Sequence, residues 1–251
     1  MHSIGVIPDS HVKPNQNLRR FEMAAKLFVE HKPEIIICLG DWADMESLCH
    51  YDYGHKSFEG RRVENDFKAC KEALESFNHF LHKYSRGTYK PRKVMLLGNH
   101  ENRINKAIEV DPKIDGLFSI KSLGFKEAGW EVVKFLEIFQ YAGISFTHYF
   151  TSGVMGKGIG GKSPAKAMLN HCKVSAVAGH THIKDQGHDF NALNQQIQTL
   201  VAGCFMEHDE AYSSECKRWW RGLWILKSYK RGTFEAFPYS MDELKATYLK
   251  K

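Results

Sequence analysis

The feature that most constrains this chain is where its polar clusters sit. Short apolar runs occupy residues 3–8, 34–39, 93–97, 144–147 and 174–178, with the length and composition of buried strands. Each run ends directly in groups that can bind a cation or move a proton. The first gives Asp9-Ser10-His11, the second Gly40-Asp41-Trp42-Ala43-Asp44, and the third Gly98-Asn99-His100-Glu101. The fourth gives His148-Tyr149 and the fifth Gly179-His180-Thr181-His182. In open α/β sheets, ligands collect at the carboxyl ends of strands. These clusters are therefore expected to meet at one place.

Between the early runs the apolar period becomes that of a helix. Leu18, Phe21, Ala25, Phe28 and Val29 share one face, as do Val63, Phe67, Cys70, Leu74, Phe77, Leu81 and Tyr84. Pro33 and Pro91 follow these patterns and read as their stops. Strands alternating with helices imply parallel pairing through helical crossovers. The later part changes character. Residues 138–141, 144–147, 196–201, 223–229 and 233–239 read as strands with short connections, and Ala142-Gly143 and Arg231-Gly232 as hairpin turns. Ser240-Met241-Asp242-Glu243 has the capping-box pattern, so a short C-terminal helix is expected. Strands in both halves suggest an α/β fold of two sheets packed face to face with helices outside. No repeat, low-complexity tract or Gly/Ser linker divides the 251 residues, so a single domain over 1–251 is expected.

Composition narrows the class. A hydrophobic fraction of 43% and a charged fraction of 25% are those of a soluble globular protein. No stretch has the length needed to cross a bilayer, so no membrane partner is expected. The chain enters its first strand without a basic leader or an apolar signal core. The 6 cysteines show neither a CxxC pair nor disulfide spacing, and Cys38 lies inside an apolar run as a small hydrophobe. A cytoplasmic protein with reduced thiols is the expectation. The net charge of +6 suits a polyanionic substrate, although an excess of that size also serves solubility.

The candidate metal ligands are Asp9, His11, Asp41, Asn99, His148, His180 and His182. They offer carboxylate, imidazole and one amide oxygen, without thiolate, unlike a Cys-rich structural zinc site. The set is too rich in nitrogen for calcium or magnesium alone. Mn²⁺, Fe²⁺, Zn²⁺ or Ni²⁺ fits better, with Mn²⁺ favoured. One ion would not need so many ligands beside water and substrate. Two divalent transition-metal ions sharing a carboxylate is the economical reading. Asp9 and His11 lie two apart, as do His180 and His182. In extended backbone such residues point the same way, so each pair is expected to grip one ion.

Taken in order, Asp-x-His, Gly-Asp-x-x-Asp, Gly-Asn-His-Glu, a later His and Gly-His-Thr-His span residues 9 to 182. This series resembles the calcineurin-like metallophosphoesterases, in particular the small stand-alone members often carried by bacteria and their phages. The resemblance implies a four-layer α/β/β/α sandwich. It implies that Asp9, His11 and His182 bind a first metal, that Asn99, His148 and His180 bind a second, and that Asp41 bridges both. It also implies that His100 faces the scissile ester without binding metal. Asp44 and Glu101 would orient the imidazoles. Paired ions of this kind clamp the attacking and leaving oxygens of an in-line displacement, and a hydroxide held between them attacks phosphorus. His100 would then give a proton to the leaving alkoxide. Tyr149 stands where similar proteins commonly have Gly, and His171 is the alternative to His148.

The ester itself is less constrained. Gly-Asp-Trp-Ala-Asp departs from the Gly-Asp-x-Val-Asp-Arg-Gly pattern of the protein Ser/Thr phosphatases. Cations and aromatics near the motifs favour a phosphodiesterase acting on a nucleotide or nucleic acid over a phosphomonoesterase. Tyr51 to Phe58, with His55 and Lys56, and then Arg61, mix both types. Arg103 follows Gly-Asn-His-Glu and can reach a substrate phosphate or form a helix salt bridge. Lys157 lies in a glycine-rich run from Gly153 to Gly161 that suits a mobile loop over the site. Lys217-Arg218-Trp219-Trp220-Arg221 reads either as a base-stacking platform or as packed core. A competing reading of another class is a non-catalytic nucleic-acid-binding module on the same fold.

Overall fold

The computed structural model describes residues 1–209, 216–230 and 232–249. In chain order the elements begin with β1 (His2–Ile7), α1 (Arg19–His31), β2 (Ile35–Cys38), α2 (Val63–Ser85), β3 (Arg92–Leu96) and α3 (Arg103–Val110). There follow β4 (Glu131–Val133), β5 (Phe139–Tyr141), β6 (Ile144–Phe146), β7 (Thr151–Ser152), β8 (Lys157–Gly158) and α4 (Pro164–Cys172). The chain continues with β9 (Ala176–Ala178), β10 (Lys184–Phe190), β11 (Gln196–Ala202), β12 (Gly222–Lys230), β13 (Thr233–Ser240) and α5 (Met241–Tyr248).

One sheet has 6 strands in the order β13-β12-β1-β2-β3-β4, and the other has 5 in the order β10-β11-β9-β6-β5. β1, β2, β3 and β4 pair in parallel, as the helical crossovers demand, while β12 joins β1 antiparallel. Strand periodicity divides the side chains between layers. Ile4, Val6, Ile35, Ile37, Leu39, Val94 and Leu96 turn inward and meet Ile144, Phe146, Val177 and Leu200 of the second sheet. Their neighbours Ile7, Ile36, Cys38 and Met95 turn outward onto Phe21, Leu27 and Phe28 of α1 and Leu74 and Phe77 of α2. On the far side, Ala176, Ala178 and Val201 pack against Ala165 and Met168 of α4. The layers are therefore helix, sheet, sheet, helix, the four-layer sandwich expected.

Several boundaries differ from the sequence reading. α2 stops at Arg86, whose backbone is left-handed (φ 51°), with the Gly87 N–H closing on the His82 carbonyl; Pro91 comes later and is not the stop. Ala142 and Gly143 form the expected two-residue turn, both at positive φ. Of the second expected turn, Arg231 lies outside the described residues. Ser240 caps α5 by accepting the Glu243 N–H at 3.2 Å. The strand Lys184–Phe190 was not expected from the sequence, nor were α4 and the short strand Glu131–Val133.

The run from Gly153 to Gly161 begins as the turn of a hairpin, with Gly153 and Gly156 at positive φ. β7 and β8 pair as a hairpin, and the Ile159 N–H closes on the Phe150 carbonyl at 2.8 Å with both side chains buried. Among the described residues no helix is long and apolar enough to cross a membrane.

Candidate metal centre

The loops after β1, β2, β3, β6 and β9 converge. Asp9, His11, Asp41, His148 and His182 are buried, and Asn99 and His180 are half-buried beside them. Among the described residues, three groups bring metal-type donor atoms within 4.8 Å of one another: Asp9 with His11 and His182, His11 with Asp41 and His100, and Asp41 with His148 and His180. The ring nitrogens Nε2 of His11 and His182 are 3.1 Å apart, and His182 Nε2 is 3.1 Å from Asp9 Oδ2. His148 Nε2 is 2.9 Å from Asn99 Oδ1 and 3.2 Å from Asp41 Oδ2. That same Asp41 oxygen is 3.9 Å from His11 Nε2. Asp41 thus lies between the Asp9 trio and the His148 pair.

The imidazoles are fixed through their other nitrogens. His11 Nδ1 meets Asp44 Oδ1 at 2.8 Å, and His148 Nδ1 meets the Leu39 carbonyl at 2.9 Å. A ring that donates through Nδ1 turns its Nε2 lone pair toward the centre, the orientation a cation requires. Asp9 Oδ1 is buried and has no hydrogen-bond partner among the described residues. A buried carboxylate oxygen left alone is costly. The orphaned oxygen, the facing lone pairs and the mixed oxygen and nitrogen donors fit divalent cations.

The backbone at these positions is unusual. His11, Asp41, His180 and His182 all lie in the left-handed region, with φ of 42°, 49°, 70° and 59°. The pairs are therefore turns and not extended strands. His180 and His182 consequently divide between two groups, which corrects the expectation that they grip one ion together. Two glycines permit the crowding. A Cβ on Gly98 would sit 2.0 Å from Asp41 Oδ1, and one on Gly179 would sit 2.2 Å from Asp9 Oδ1.

Asp44 and Glu101 do different work. Asp44 Oδ1 reaches both His11 Nδ1 (2.8 Å) and His100 Nδ1 (2.7 Å), and its other oxygen is 3.4 Å from Lys13 Nζ. Glu101 does not orient an imidazole as expected. Its carboxylate accepts the N–H groups of Asp41 (3.0 Å), Ala43 (2.9 Å) and Gly98 (2.8 Å), tying the loop after β2 to the loop after β3. Burial pushes Glu101 up to about 7 and the Asp41 charge adds to that, against the pull of the backbone N–H groups. Burial also opposes charge on His148, yet Asp41 and Asp9 outweigh it and raise the ring to about 9. His180 falls to about 4 through burial and then the neighbouring His148. Asp41 stays well below the usual carboxylate range; burial works against this, but His148 and His100 prevail.

The sequence matches the family model of calcineurin-like phosphoesterases over residues 2–192. The chain belongs to the calcineurin-like phosphoesterase family. Phosphate-ester hydrolysis follows as its reaction class, with His and Asp clusters able to hold divalent metal. No curated protein sequence matches this phosphoesterase. Among solved structures, a dimetal phosphatase from Danio rerio is similar at 11% identity, covering 95% of this chain and 98% of that one, with a TM-score of 0.43. The TT1561 protein of Thermus thermophilus is similar at 9% identity, covering 94% and 98%, with a TM-score of 0.36. Likenesses this loose carry no argument about chemistry.

Around the phosphoesterase centre, the expected substrate cations divide. Arg103 is close: its guanidinium donates to the Asp44 carbonyl at 2.8 Å and lies 3.2 Å from His100 Nε2. Arg61 is held by Asp52 and the Glu46 carbonyl. His55, Lys56 and Lys157 are exposed and stand outside the groups described above. His171 lies on the last turn of α4 and is exposed, so it does not replace His148. Two half-buried aromatics carry a signal that sequence reasoning undervalued. Tyr149 lies 4.6 Å from the His180 ring, and Trp219 meets His182 edge-on at 4.5 Å.

Proposed function

We propose that this phosphoesterase is a binuclear-metal-dependent phosphodiesterase acting on a nucleotide or nucleic acid, carried by a single domain spanning 1–251. The observation that carries the reading is the position of Asp41 Oδ2, 3.2 Å from His148 Nε2 and 3.9 Å from His11 Nε2. One carboxylate oxygen facing both sets of imidazoles is what a shared bridging ligand requires. In this reading Asp9, His11 and His182 hold one ion, Asn99, His148 and His180 hold the other, and Asp41 serves both. Bound divalent ions, with Mn²⁺ favoured, would supply phosphate polarisation and water acidified toward neutral pH.

The chain's own groups do the rest. Hydrolysis adds water across a P–O bond, so the departing oxygen needs a proton. His100 is the donor we assign. Its Nδ1 is held by the Asp44 carbonyl at 2.8 Å, which leaves Nε2 turned toward Asp41 Oδ2 at 3.8 Å. Burial lowers the affinity of His100 for a proton, but Asp41 and Asp44 more than restore it. Arg103 can only donate, so its contact with Nε2 competes with protonation there. A substrate phosphate oxygen that draws Arg103 to itself frees Nε2 to carry the proton. A diester is favoured on charge. Lys13 lies 3.4 Å from the Asp44 carboxylate and Arg61 is engaged by Asp52, which leaves Arg103 as the cation beside His100 that the reading gives to the phosphate. One such cation suits a monoanionic diester better than a dianionic monoester. The reduced thiols of Cys38, Cys49, Cys70, Cys172 and Cys204 support a cytoplasmic setting.

Chelator-stripped protein reloaded with Mn²⁺ should hydrolyse bis(p-nitrophenyl) phosphate faster than p-nitrophenyl phosphate. A reversed order makes it a phosphomonoesterase, and nucleic-acid binding with no hydrolysis of either makes it a binding module. His100→Ala should keep its metal content, read by elemental analysis, and lose about 10²–10⁴ in turnover. Unchanged turnover removes His100 from the reaction.

A further inference from the structure

The family match ends at residue 192, yet a later stretch of chain returns to the metal centre. The Trp220 N–H donates to the His182 carbonyl at 2.9 Å, and the Trp220 carbonyl accepts the Cys204 N–H at 2.9 Å. These bonds pin the segment to the turn that carries His182. The neighbouring tryptophans then part. Trp220 packs at 4.9 Å on the ring of Trp224, at the edge of the core between the sheets. Trp219 stays half-buried, its indole nearly perpendicular to the His182 ring with centroids 4.5 Å apart. The Arg221 guanidinium lies 5.9 Å from the centre of that indole, and the Asp209 carboxylate and His208 carbonyl hold the guanidinium in place.

Trp219 therefore holds a half-buried indole, braced by Arg221 from its own segment, beside a candidate ligand that it does not help to coordinate. His182 already has Asp9 and His11 as neighbours in its group. An indole at the rim of so polar a centre gains little from burial there. It gains much from a planar group brought by the substrate, because every base has a π-face to stack.

We infer that Trp219 is a specificity-determining residue that stacks on a nucleobase attached to the scissile phosphate, so that nucleotide esters are preferred over alkyl esters. The inference rests on the phosphodiesterase reading above and adds a substrate class to it.

The test uses Mn²⁺-loaded protein and a pair of substrates sharing one leaving group: thymidine 5′-(p-nitrophenyl) phosphate and methyl p-nitrophenyl phosphate. Wild type should favour the thymidyl ester in kcat/KM. Trp219→Ala should lower that preference about tenfold or more, and Trp219→Phe should retain most of it. A second arm needs no turnover. By calorimetry, thymidine 5′-monophosphate should bind wild type more tightly than inorganic phosphate, and Trp219→Ala should erase most of the difference. Equal preference for both esters in wild type overturns the inference and leaves the phosphodiesterase reading standing. A preference that survives Trp219→Ala, or equal losses on both esters, overturns it too. If neither ester is hydrolysed, the phosphodiesterase reading falls, and the calorimetric comparison still decides whether Trp219 recognises a base.

Discussion

His11, Asp41, His180 and His182 hold a backbone conformation that side chains with a Cβ rarely adopt. Each such residue costs on the order of 1–3 kcal/mol and persists only where its surroundings fix it. Here the fixing groups are visible. The Ser10 and His11 N–H groups close on the Asp41 carbonyl, the His180 N–H on Asp9 Oδ2, and the Asp41 N–H on Glu101. Gly98 makes room for this arrangement. Gly98→Ala should abolish tight Mn²⁺ binding and destabilise the fold by several kcal/mol, since the new Cβ would lie 2.5 Å from the Asp41 backbone nitrogen. Metal titration with urea unfolding checks this, and wild-type behaviour in both would contradict it. The identity of the residues that meet was legible in the sequence, because each stands just after an apolar run. Their backbone was not. A spacing of two residues carries no information about φ, and the left-handed backbone of His180 and His182 sends the two rings to different groups. Glu101 was misread for a related reason. A carboxylate next to histidine in sequence suggests an imidazole partner, whereas its oxygens are taken by backbone N–H groups from loops far along the chain.

At the scale of elements, legibility tracked burial. β1, β2 and β3 are flanked on both faces, so they read as continuous apolar runs with clear ends. α1 and α2 each bury one face and show it in their period. Among the described residues β10 is an edge strand paired with β11, and Lys184 to Phe190 is largely exposed. Its sequence has no apolar face to mark, whereas β4, whose Val132 and Val133 pack against the two cores, is too short at 3 residues to show a period. α5 was legible from its cap alone. Ser240→Ala should cost about 1 kcal/mol of stability through the lost bond to the Glu243 N–H. Urea denaturation reads this directly. No change would mean that α5 is held by Met241 and Leu244 in the core without help from its cap.

Over the whole molecule, two sheets bring together loops that lie more than a hundred residues apart, and the core between them holds those loops in register. Trp42, fully buried against Phe21 at 4.7 Å, anchors the loop that carries Asp41 and Asp44 to the helical layer. The family match covers the loops up to residue 192, and the chain beyond it supplies Trp219 and the strands that close the first sheet. In the proposed centre Asp41 serves two cations at once. Anomalous diffraction from a crystal grown with Mn²⁺ tests that most directly. The predicted result is a pair of peaks about 3.5–4 Å apart, one beside Asp9, His11 and His182, the other beside Asn99, His148 and His180, with Asp41 between them. A single peak, or none among these side chains in metal-saturated protein, would contradict it.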